Sequence, residues 1–398
     1  MRPSAAIDLS TKSIKSKIAQ IDHSNSYILQ LSHLENFIPQ TWATSTSNAS
    51  DLINLIHLSP NSSWVNLAKL KFDHLLNGTV TQIKSNHQKN LNSQILIAAF
   101  SIQPILAGWD PRCDNSSLNP TFSLSGTSNS PFISCDISTN QNFIVAGTDH
   151  STDPVIEIFD LRGNHKIPFS TYHQSHSNLI TSTSFAPQSI HHLLSASTDG
   201  LLVTYDIRIS NEDDAIMSIA NLGASIALTH WNSDNQLIWA ATDMETLSVW
   251  SSDDLSLIHD YGDLRHKSLA KPDPNWNLSI SHLIDCIDPS PILQSAQSAY
   301  FAGSSSGDVI LVDTSDTKHH QWNVLASLTG GHDEIVRCAS IDNHNGLIVT
   351  GGEDGRICAW SDTNIKESDS QPLKIKSFFN HPGKIENKSL NQKRFKPY

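Results

Sequence analysis

Two sets of polar side chains recur in this sequence with the same spacing. In both sets the hydroxyl residue precedes an aspartate by four positions, and that aspartate precedes an aromatic residue by six. A histidine lies upstream of each. We expect the aspartate to accept a hydrogen bond from the histidine, and the hydroxyl to join the histidine to the aromatic N–H or O–H. Such a chain would staple three strands of one sheet together. The two sets are His332, Thr350, Asp354 and Trp360, and His176, Ser195, Asp199 and Tyr205.

A second pattern places an arginine two positions after an aromatic–aspartate pair. A guanidinium held beside a strand end can pair bidentately with a carboxylate or carbonyl of another protein. Alternatively, it pairs with a carboxylate of a neighbouring strand or lies over an aromatic face. We expect Arg162 and Arg208 to be better partner contacts than Arg112, because Pro111 changes the local backbone. The three instances are Trp109-Asp110-Pro111-Arg112, Phe159-Asp160-Leu161-Arg162 and Tyr205-Asp206-Ile207-Arg208.

Catalytic and metal-binding patterns are missing from the sequence. It contains no Gly-x-Ser-x-Gly motif, and the glycine-rich stretch 351–355 lies in a turn between strands instead of ahead of a helix. The histidine pairs His191-His192 and His319-His320 have no cysteine or carboxylate at ligand spacing. The sequence therefore predicts no enzyme activity, no metal and no cofactor.

The elements that must position these residues repeat along the chain. Each repeat has an apolar strand, a strand ending in small residues, a tight turn, and a strand closing on an apolar or aromatic residue followed by a polar one. Seven such closings predict an all-β, seven-bladed β-propeller. They are Ile56-His57, Trp109-Asp110, Phe159-Asp160, Tyr205-Asp206, Trp250-Ser251, Val312-Asp313 and Trp360-Ser361.

The strands that end in small residues are expected to line the central channel, where large side chains would be crowded. Examples are Ala146-Gly147, Ser195-Ala196 and Gly351-Gly352. A ring of blades also needs its last sheet closed, because an open sheet edge invites unwanted pairing. Either Ser4–Asp22 or Leu373–Phe379 could supply the closing strand.

Three segments are predicted along the chain: an N-terminal segment, 1–22, with a candidate ring-closing strand, a propeller, 23–380, and a basic tail, 381–398. From Leu373 to Tyr398 the chain has seven basic residues and one acidic residue. The tail is either a solvated terminus or an import signal.

Charge and composition restrict the partners and the compartment. The net charge is −13, which repels phosphate backbones, so nucleic acid is not an expected partner. The five cysteines contain no Cys-x-x-Cys pair and are expected to be reduced thiols. No apolar run is long enough to span a membrane and no signal peptide is recognisable. We expect an intracellular protein of the cytoplasm, the nucleus or both, monomeric within a larger complex.

These repeats resemble those of the WD-repeat proteins over about Tyr27 to Phe379. The resemblance is carried by the stretch Ser195–Val203, by Gly330-Gly331-His332 and by Gly351–Asp354. Ser251 and Ser361 depart from the family pattern, which has an aspartate there. The resemblance implies a propeller scaffold without enzyme activity that binds other proteins.

Partner contacts follow from the family's geometry. They are expected beside the turns that start each closing strand or precede each inner strand: Trp231, Asp243, Asp308, Glu334 and Arg337. The arginine pattern also resembles the WD-x-Arg signature of substrate receptors of cullin-RING ubiquitin ligases, which dock on the ligase adaptor. A third alternative, suggested by the basic tail, is a nuclear or ribosome-assembly factor.

Overall fold

The residues described by the structure, a computed structural model, all belong to the first of two units, Met1–Ile365. The second unit, Lys366–Tyr398, lies outside the described residues, as does the predicted basic tail. For the segment 13–22 and for Ala68, Asn323 and Asp362, only the backbone is described. The described ranges are 13–22, 26–34, 40–47, 53–59, 63–70, 78–86, 95–110, 119–149, 153–163, 167–266, 279–287, 299–313, 323–342 and 345–362.

The described residues form 28 strands, and consecutive strands pair antiparallel in groups of four. Blade 1 contains β2 (Ile28–His33), β3 (Thr41–Thr46), β4 (Ile53–Leu58) and β5 (Trp64–Leu70). Blade 2 contains β6 (Val80–Ser85), β7 (Leu96–Phe100), β8 (Ile105–Trp109) and β9 (Phe122–Ser125). Blade 3 contains β10 (Phe132–Ile137), β11 (Phe143–Thr148), β12 (Ile156–Asp160) and β13 (Ser170–Tyr172). Blade 4 contains β14 (Ser182–Phe185), β15 (His192–Ala196), β16 (Leu201–Asp206) and β17 (Ile216–Asn221).

The remaining blades follow the same plan. Blade 5 contains β18 (Ile226–Trp231), β19 (Leu237–Thr242), β20 (Thr246–Ser251) and β21 (Leu257–Asp263). Blade 6 contains β22 (His282–Ile287), β23 (Ala299–Gly303), β24 (Val309–Asp313) and β25 (Asn323–Leu328). Blade 7 contains β26 (Val336–Asp342), β27 (Leu347–Gly352), β28 (Arg356–Asp362) and β1 (Ser13–Asp22). Short helical segments are α1 (Glu212–Ala215) and a 3-10 turn, Leu264–His266.

Seven blades arranged as a β-propeller confirm the predicted fold class. Each predicted closing lies at the third strand of a different blade, including Ile56-His57 in β4. The first strands of neighbouring blades contact one another around the ring, so the first strand of each blade is its innermost. The fourth strand is the outer edge of each sheet.

Ring closure uses the N-terminal strand. β1 pairs antiparallel with β28 from Lys15↔Asp362 to Asp22↔Arg356 and becomes the fourth strand of blade 7. Its first two residues also pair in parallel with β25 of blade 6, at Ser13↔Ala326 and Ile14↔Ser327. One strand therefore joins two blades. The other candidate closing segment, Leu373–Phe379, lies outside the described residues.

The expectation that small residues line the channel is wrong. Ala146-Gly147, Ser195-Ala196 and Gly351-Gly352 lie in second strands, one position out from the channel, and they are buried. A second strand has a strand on either side and a blade over either face, so little space remains. A Cβ on Gly147 would lie 2.5 Å from the Ile180 side chain, and the small residues thus admit side chains of the next blade.

The core is divided among the blade interfaces. Seven clusters of buried apolar side chains occur among the described residues, one between each pair of neighbouring blades. Trp360 of blade 7, for example, packs with Phe301 and Leu311 of blade 6. Each blade therefore depends on both neighbours, as in other repeat architectures, and removing a single blade edge exposes a whole cluster.

Candidate functional site

The first predicted hydrogen-bond set comes together in blade 7. His332 lies in the connection before β26, Thr350 in β27, Asp354 in the following turn and Trp360 in β28. The Nδ1 atom of His332 is 3.1 Å from Oδ1 of Asp354, and its Nε2 is 2.8 Å from Oγ1 of Thr350. Trp360 Nε1–H donates to the same Oγ1 at 2.8 Å. The chain is largely buried, and it ties β27, β28 and the turn between them to the connection that precedes β26.

The second set comes together in blade 4 with the same connectivity. His176 Nδ1 lies 3.3 Å from Asp199 Oδ2, and its Nε2 lies 2.6 Å from Ser195 Oγ. Ser195 Oγ in turn lies 3.2 Å from the Tyr205 hydroxyl. Tyr205 also stacks on Tyr172 of blade 3 at a ring-centroid distance of 5.1 Å, so this network reaches the neighbouring blade.

Both turn aspartates are held as acceptors. Asp354 accepts the backbone N–H groups of Asp333 and Arg356, each at 3.0 Å, and Asp199 accepts those of Ser177 and Leu201, each at 2.8 Å. Burial by itself would raise the pKa of each aspartate. The hydrogen bonds from the histidine and from the backbone outweigh it and hold both pKa values below the usual range. Both carboxylates therefore remain ionised at neutral pH.

The predicted arginines fold back on the aspartates of their own closings. Arg162 pairs with Asp160 (Nε–Oδ1 2.9 Å, Nη2–Oδ2 2.6 Å), and Arg208 pairs with Asp206 (Nε–Oδ1 2.9 Å, Nη2–Oδ2 2.5 Å). Arg162 also lies over the Phe143 ring at 4.9 Å. The side chains of Arg162 and Arg208 nevertheless remain 60% and 62% exposed.

Arg112 and Arg265 also follow an aspartate by two positions. Arg112 lies outside the described residues. Arg265 makes the same fork on Asp263, and its Nη2 also donates to the Met244 carbonyl at 3.2 Å. The sequence search missed Arg265 because its Asp-x-Arg pattern follows a fourth strand instead of a closing strand.

Two faces of the ring are distinguished by strand direction. Turns between second and third strands, and connections from each fourth strand to the next blade, lie on one face, which we call the 2–3 face. The remaining connections lie on the opposite 1–2 face. Asp243, Asp308 and Glu334 belong to connections on the 2–3 face, and Arg337 lies near the start of β26 beside it. The Arg162 and Arg208 forks belong to connections on the 1–2 face.

The residues predicted to contact a partner on the 2–3 face differ in solvent exposure and in the bonds that they already form. Asp243 and Glu334 are exposed. Asp308 accepts the backbone N–H of Gly330 at 3.2 Å and is half-buried. Arg337 is exposed and pairs with Glu353, with an Nη2–Oε1 distance of 2.5 Å.

Trp231 is not a surface contact. It ends β18, where first strands meet the 1–2 face, and it is only 6% exposed. Its ring belongs to the apolar cluster between blades 4 and 5, with Trp250 and Leu255. The prediction was wrong because a large aromatic residue at the end of an inner strand fills the space between two blades.

The 2–3 face is strongly acidic. Its described connections contain ten acidic residues and one basic residue, Arg265. The acids are Asp149, Asp153, Asp199, Asp243, Glu245, Asp308, Asp333, Glu334, Glu353 and Asp354. Long-range repulsion of anions and attraction of cationic surfaces follow from this excess.

A ring of polar side chains occupies equivalent positions on the seven innermost strands, and we call it the polar ring. The sequence analysis missed it because most of these strands contain other polar residues as well. Its members are Ser32, Lys84, Asp136, Ser184, His230, Asp285 and Ser340. Lys84 in blade 2 acts electrostatically on Asp285 in blade 6, although these blades are not neighbours. Both residues lie on innermost strands, which surround the central channel.

Burial dominates the acid–base behaviour of the polar ring. It raises the pKa of Asp285 to about 6, against the opposing effects of Lys84 and the Cys286 backbone N–H. It also raises the pKa of Asp136, although Lys84 and the Phe185 N–H, which donates to Oδ2 at 2.7 Å, oppose the rise. In both residues burial favours the uncharged carboxyl group over the carboxylate.

Replacing Asp285 with Asn should stabilise the protein above pH 6 and have little effect near pH 4. The folded-state pKa is about 6, above the usual value for aspartate, so ionisation opposes folding once the pH exceeds about 4 and does so fully above the folded-state pKa. Removing the charge should raise the free energy of unfolding by about 1–3 kcal/mol at about pH 8. Urea unfolding of both proteins across this pH range measures the difference; a gain that is the same at both pH values would contradict the assignment.

The described residues contain neither a metal-binding cluster nor a membrane-spanning helix. Within the described ranges, no group of three His, Cys, Asp or Glu side chains is arranged to hold a metal ion. Cys135, Cys286, Cys338 and Cys358 are free thiols there, and Cys113 lies outside. No helix in the described part of the chain is long and apolar enough to cross a bilayer.

Comparison with known proteins finds WD-repeat relatives. An uncharacterized WD repeat-containing protein of Saccharomyces cerevisiae is 27% identical over 64% of this chain and 61% of its own length. WD repeat-containing protein GTS1 of Arabidopsis thaliana is 29% identical over 49% of this chain and 50% of its own. The WD repeat-containing protein 89 homolog of Dictyostelium discoideum is 27% identical over 56% of this chain and 59% of its own. No family model matches the chain.

The fold and these relatives together define the class: a seven-bladed β-propeller similar to WD repeat-containing proteins. The matches span about half to three-fifths of the length of these three relatives. Within this class the chain resembles, among others, the group that includes the WD repeat-containing protein 89 homolog. Its function as a whole is a matter for the proposals below.

Proposed function

We propose that this chain is a non-enzymatic scaffold that binds other proteins on its 2–3 face. The observation that carries the proposal is the charge of that face, where the described connections contain ten acids against one arginine. Loops on a rigid sheet framework are where propellers and other β folds present contacts to partners.

The chemistry of the face favours a basic partner surface. Exposed Asp243 and Glu334 lie on blade 5 and between blades 6 and 7, so a partner that contacts both must span neighbouring blades. Arg265 and Arg337 are already paired with Asp263 and Glu353 and supply little free positive charge. A basic protein segment would be steered to this face and its association would weaken as salt rises.

Reversing charge on the 2–3 face should remove the partner. We expect an Asp243→Lys, Glu334→Lys double variant to recover its protein partners at least about tenfold less well in affinity purification with quantitative mass spectrometry. The control is Asp234→Lys, which makes the same kind of charge reversal at an exposed position on the 1–2 face. Equal loss in both variants, or no loss in the first, would contradict the proposal.

A second candidate function is that of a substrate receptor of a cullin-RING ubiquitin ligase. The observation in its favour is that blades 3 and 4 present the same Asp–Arg fork at the same place, with both arginine side chains more than half exposed. Each fork is satisfied by its own aspartate, so an adaptor would bind a preformed charge pair whose arginine still has free N–H groups.

An Arg162→Ala, Arg208→Ala double variant separates the two functions. A receptor should no longer bind the ligase adaptor in this variant. The free energy of unfolding should change by less than about 1 kcal/mol, because exposed ion pairs contribute little to stability. Arg265→Ala is the matched control, since it removes the same fork from the 2–3 face. An adaptor recovered equally well with the double variant would exclude this role for the forks.

We propose an intracellular location, in the cytoplasm, the nucleus or both, on the basis of the cysteine usage. A nuclear or ribosome-assembly role rests only on the basic tail, which lies outside the described residues. Exclusion of a tagged full-length chain from the nucleus would contradict that role.

A further inference from the structure

The outer edge of blade 4 is a free strand edge. β17 pairs with β16 on one side, from Leu201↔Asn221 to Tyr205↔Ile216. On its other side no strand lies in the described part of the chain. The backbone N–H and C=O groups along that side are available to another strand.

The side chains of β17 lack the charges and prolines that commonly prevent an edge strand from pairing with another chain. Its sequence, Ile-Met-Ser-Ile-Ala-Asn, contains no charge and no proline, and Met217 and Ile219 are 45% and 54% exposed. Natural edge strands are commonly short or carry lysine, acidic residues or proline. Four of the other outer strands follow that rule: β5 contains Lys69, β21 contains Asp260 and Asp263, and β9 and β13 have four and three residues.

The outer strand of blade 6 shows what such an edge can accept. β25 is covered at one end by β1, which pairs with it in parallel at Ser13↔Ala326 and Ile14↔Ser327. An outer edge of this propeller therefore accepts an added strand within the chain itself. β17 has the same position in its blade and has no such cover among the described residues.

Acidic residues flank the free edge on two sides. Asp213 and Asp214 are exposed immediately before β17, and Asp253 and Asp254 are exposed in the turn between β20 and β21. That turn is close, because Ser218 Oγ lies 3.5 Å from the Asp253 carbonyl oxygen. None of these four carboxylates forms an ion pair with another described residue.

We propose that the edge of β17 binds an extended segment of a partner protein as a fifth strand of blade 4. The segment has apolar residues at alternate positions, which cover Met217 and Ile219. It has basic residues at the end that lies beside the flanking aspartates on the 1–2 face. Main-chain hydrogen bonds supply affinity, and the alternating side chains and terminal charges supply selectivity. The six residues of β17 accommodate a paired segment of about six residues, roughly 20 Å long. This edge is separate from the 2–3 face.

The test uses a synthetic peptide, KKVTVTVKK, with EEVTVTVEE as its charge-reversed control. We expect the basic peptide to slow hydrogen exchange of the β17 amides in the full-length protein, and to bind at least about tenfold more tightly than the acidic peptide. Ile219→Lys should reduce binding about tenfold or more. Val65→Lys, at an exposed apolar position of another outer strand, should leave binding within about twofold.

A second variant covers the case in which Ile219→Lys disturbs folding. The Asp253→Lys, Asp254→Lys variant changes only exposed turn residues. It should weaken binding of the basic peptide and strengthen binding of the acidic peptide. Any of three results would overturn the proposal. Hydrogen exchange of the β17 amides is not slowed, exchange is slowed at another outer strand instead, or the two peptides bind equally well. The 2–3 face variant Asp243→Lys, Glu334→Lys should bind the peptide as the unmodified protein does, so failure of either proposal can be recognised separately.

Discussion

Replacing Asp354 with Ala is expected to lower the free energy of unfolding by about 1–3 kcal/mol. The carboxylate accepts hydrogen bonds from His332 and from the backbone N–H groups of Asp333 and Arg356. Alanine leaves these donors without their acceptor, and His332 is buried, so water replaces the carboxylate poorly. Chemical unfolding followed by tryptophan fluorescence measures the change.

The matched control is Asp243→Ala. Asp243 lies in the corresponding turn of blade 5 but is exposed, so its loss should change stability by less than about 0.5 kcal/mol. The effect of Asp354→Ala should also shrink at low pH. Because the pKa of this aspartate is lowered in the folded protein, its contribution is present above pH 4 and is lost as the pH falls further. Equal effects of the two substitutions at neutral pH would show that the network does not hold blade 7.

Deleting residues 1–22 should destabilise the protein more than any single substitution discussed above. β1 forms seven residue pairs with β28 and two with β25. At about 0.5–1.5 kcal/mol for each hydrogen bond, losing the ladder should lower the free energy of unfolding by about 4 kcal/mol or more. The deletion would also leave β28 as an open edge, so we expect aggregation as well as a lower melting temperature.

Complementation identifies the cause of that loss. A synthetic peptide of residues 11–24 added to the shortened chain should restore its melting temperature, whereas a scrambled peptide of the same composition should not. A shortened chain that melts like the full-length protein would mean that the ring is closed in another way.

Much of the fold was predictable because the signals were local. The closings, the turn aspartates and their spacing to the hydroxyl and aromatic residues lie within a dozen positions of one another, and strand pairing brings such residues together. The step from Thr350 to Asp354 and on to Trp360 therefore predicted a contact that the structure contains. The network histidines lie farther upstream, but within the same repeat.

Positions that depend on other blades were less predictable. Trp231 reads as a surface residue beside a turn, yet it is buried because blade 5 packs against blade 4 there. The small pairs of the second strands look suited to a crowded channel, but the crowding comes from neighbouring blades. Lys84 and Asp285 are 201 positions apart, and only the closed ring brings them to the same channel.

The arginine pattern illustrates a limit of a different kind. Its spacing predicted a fork beside each closing strand, and Arg162 and Arg208 both form one with their own aspartates. Spacing does not report whether another protein uses the exposed side of that fork. The domain boundaries at 22 and 380 likewise stay predictions, since the second boundary lies outside the described residues.

The central claim, that the 2–3 face binds protein partners, is most directly tested by photocrosslinking in the native cell. A photoreactive amino acid is placed at Glu334 on the 2–3 face in one protein and at Asp234 on the 1–2 face in another, both exposed positions. The account predicts that Glu334 yields discrete crosslinked proteins with basic contact segments and that Asp234 does not yield the same products. Crosslinks of equal yield and identity from both positions, or none from Glu334, would contradict it.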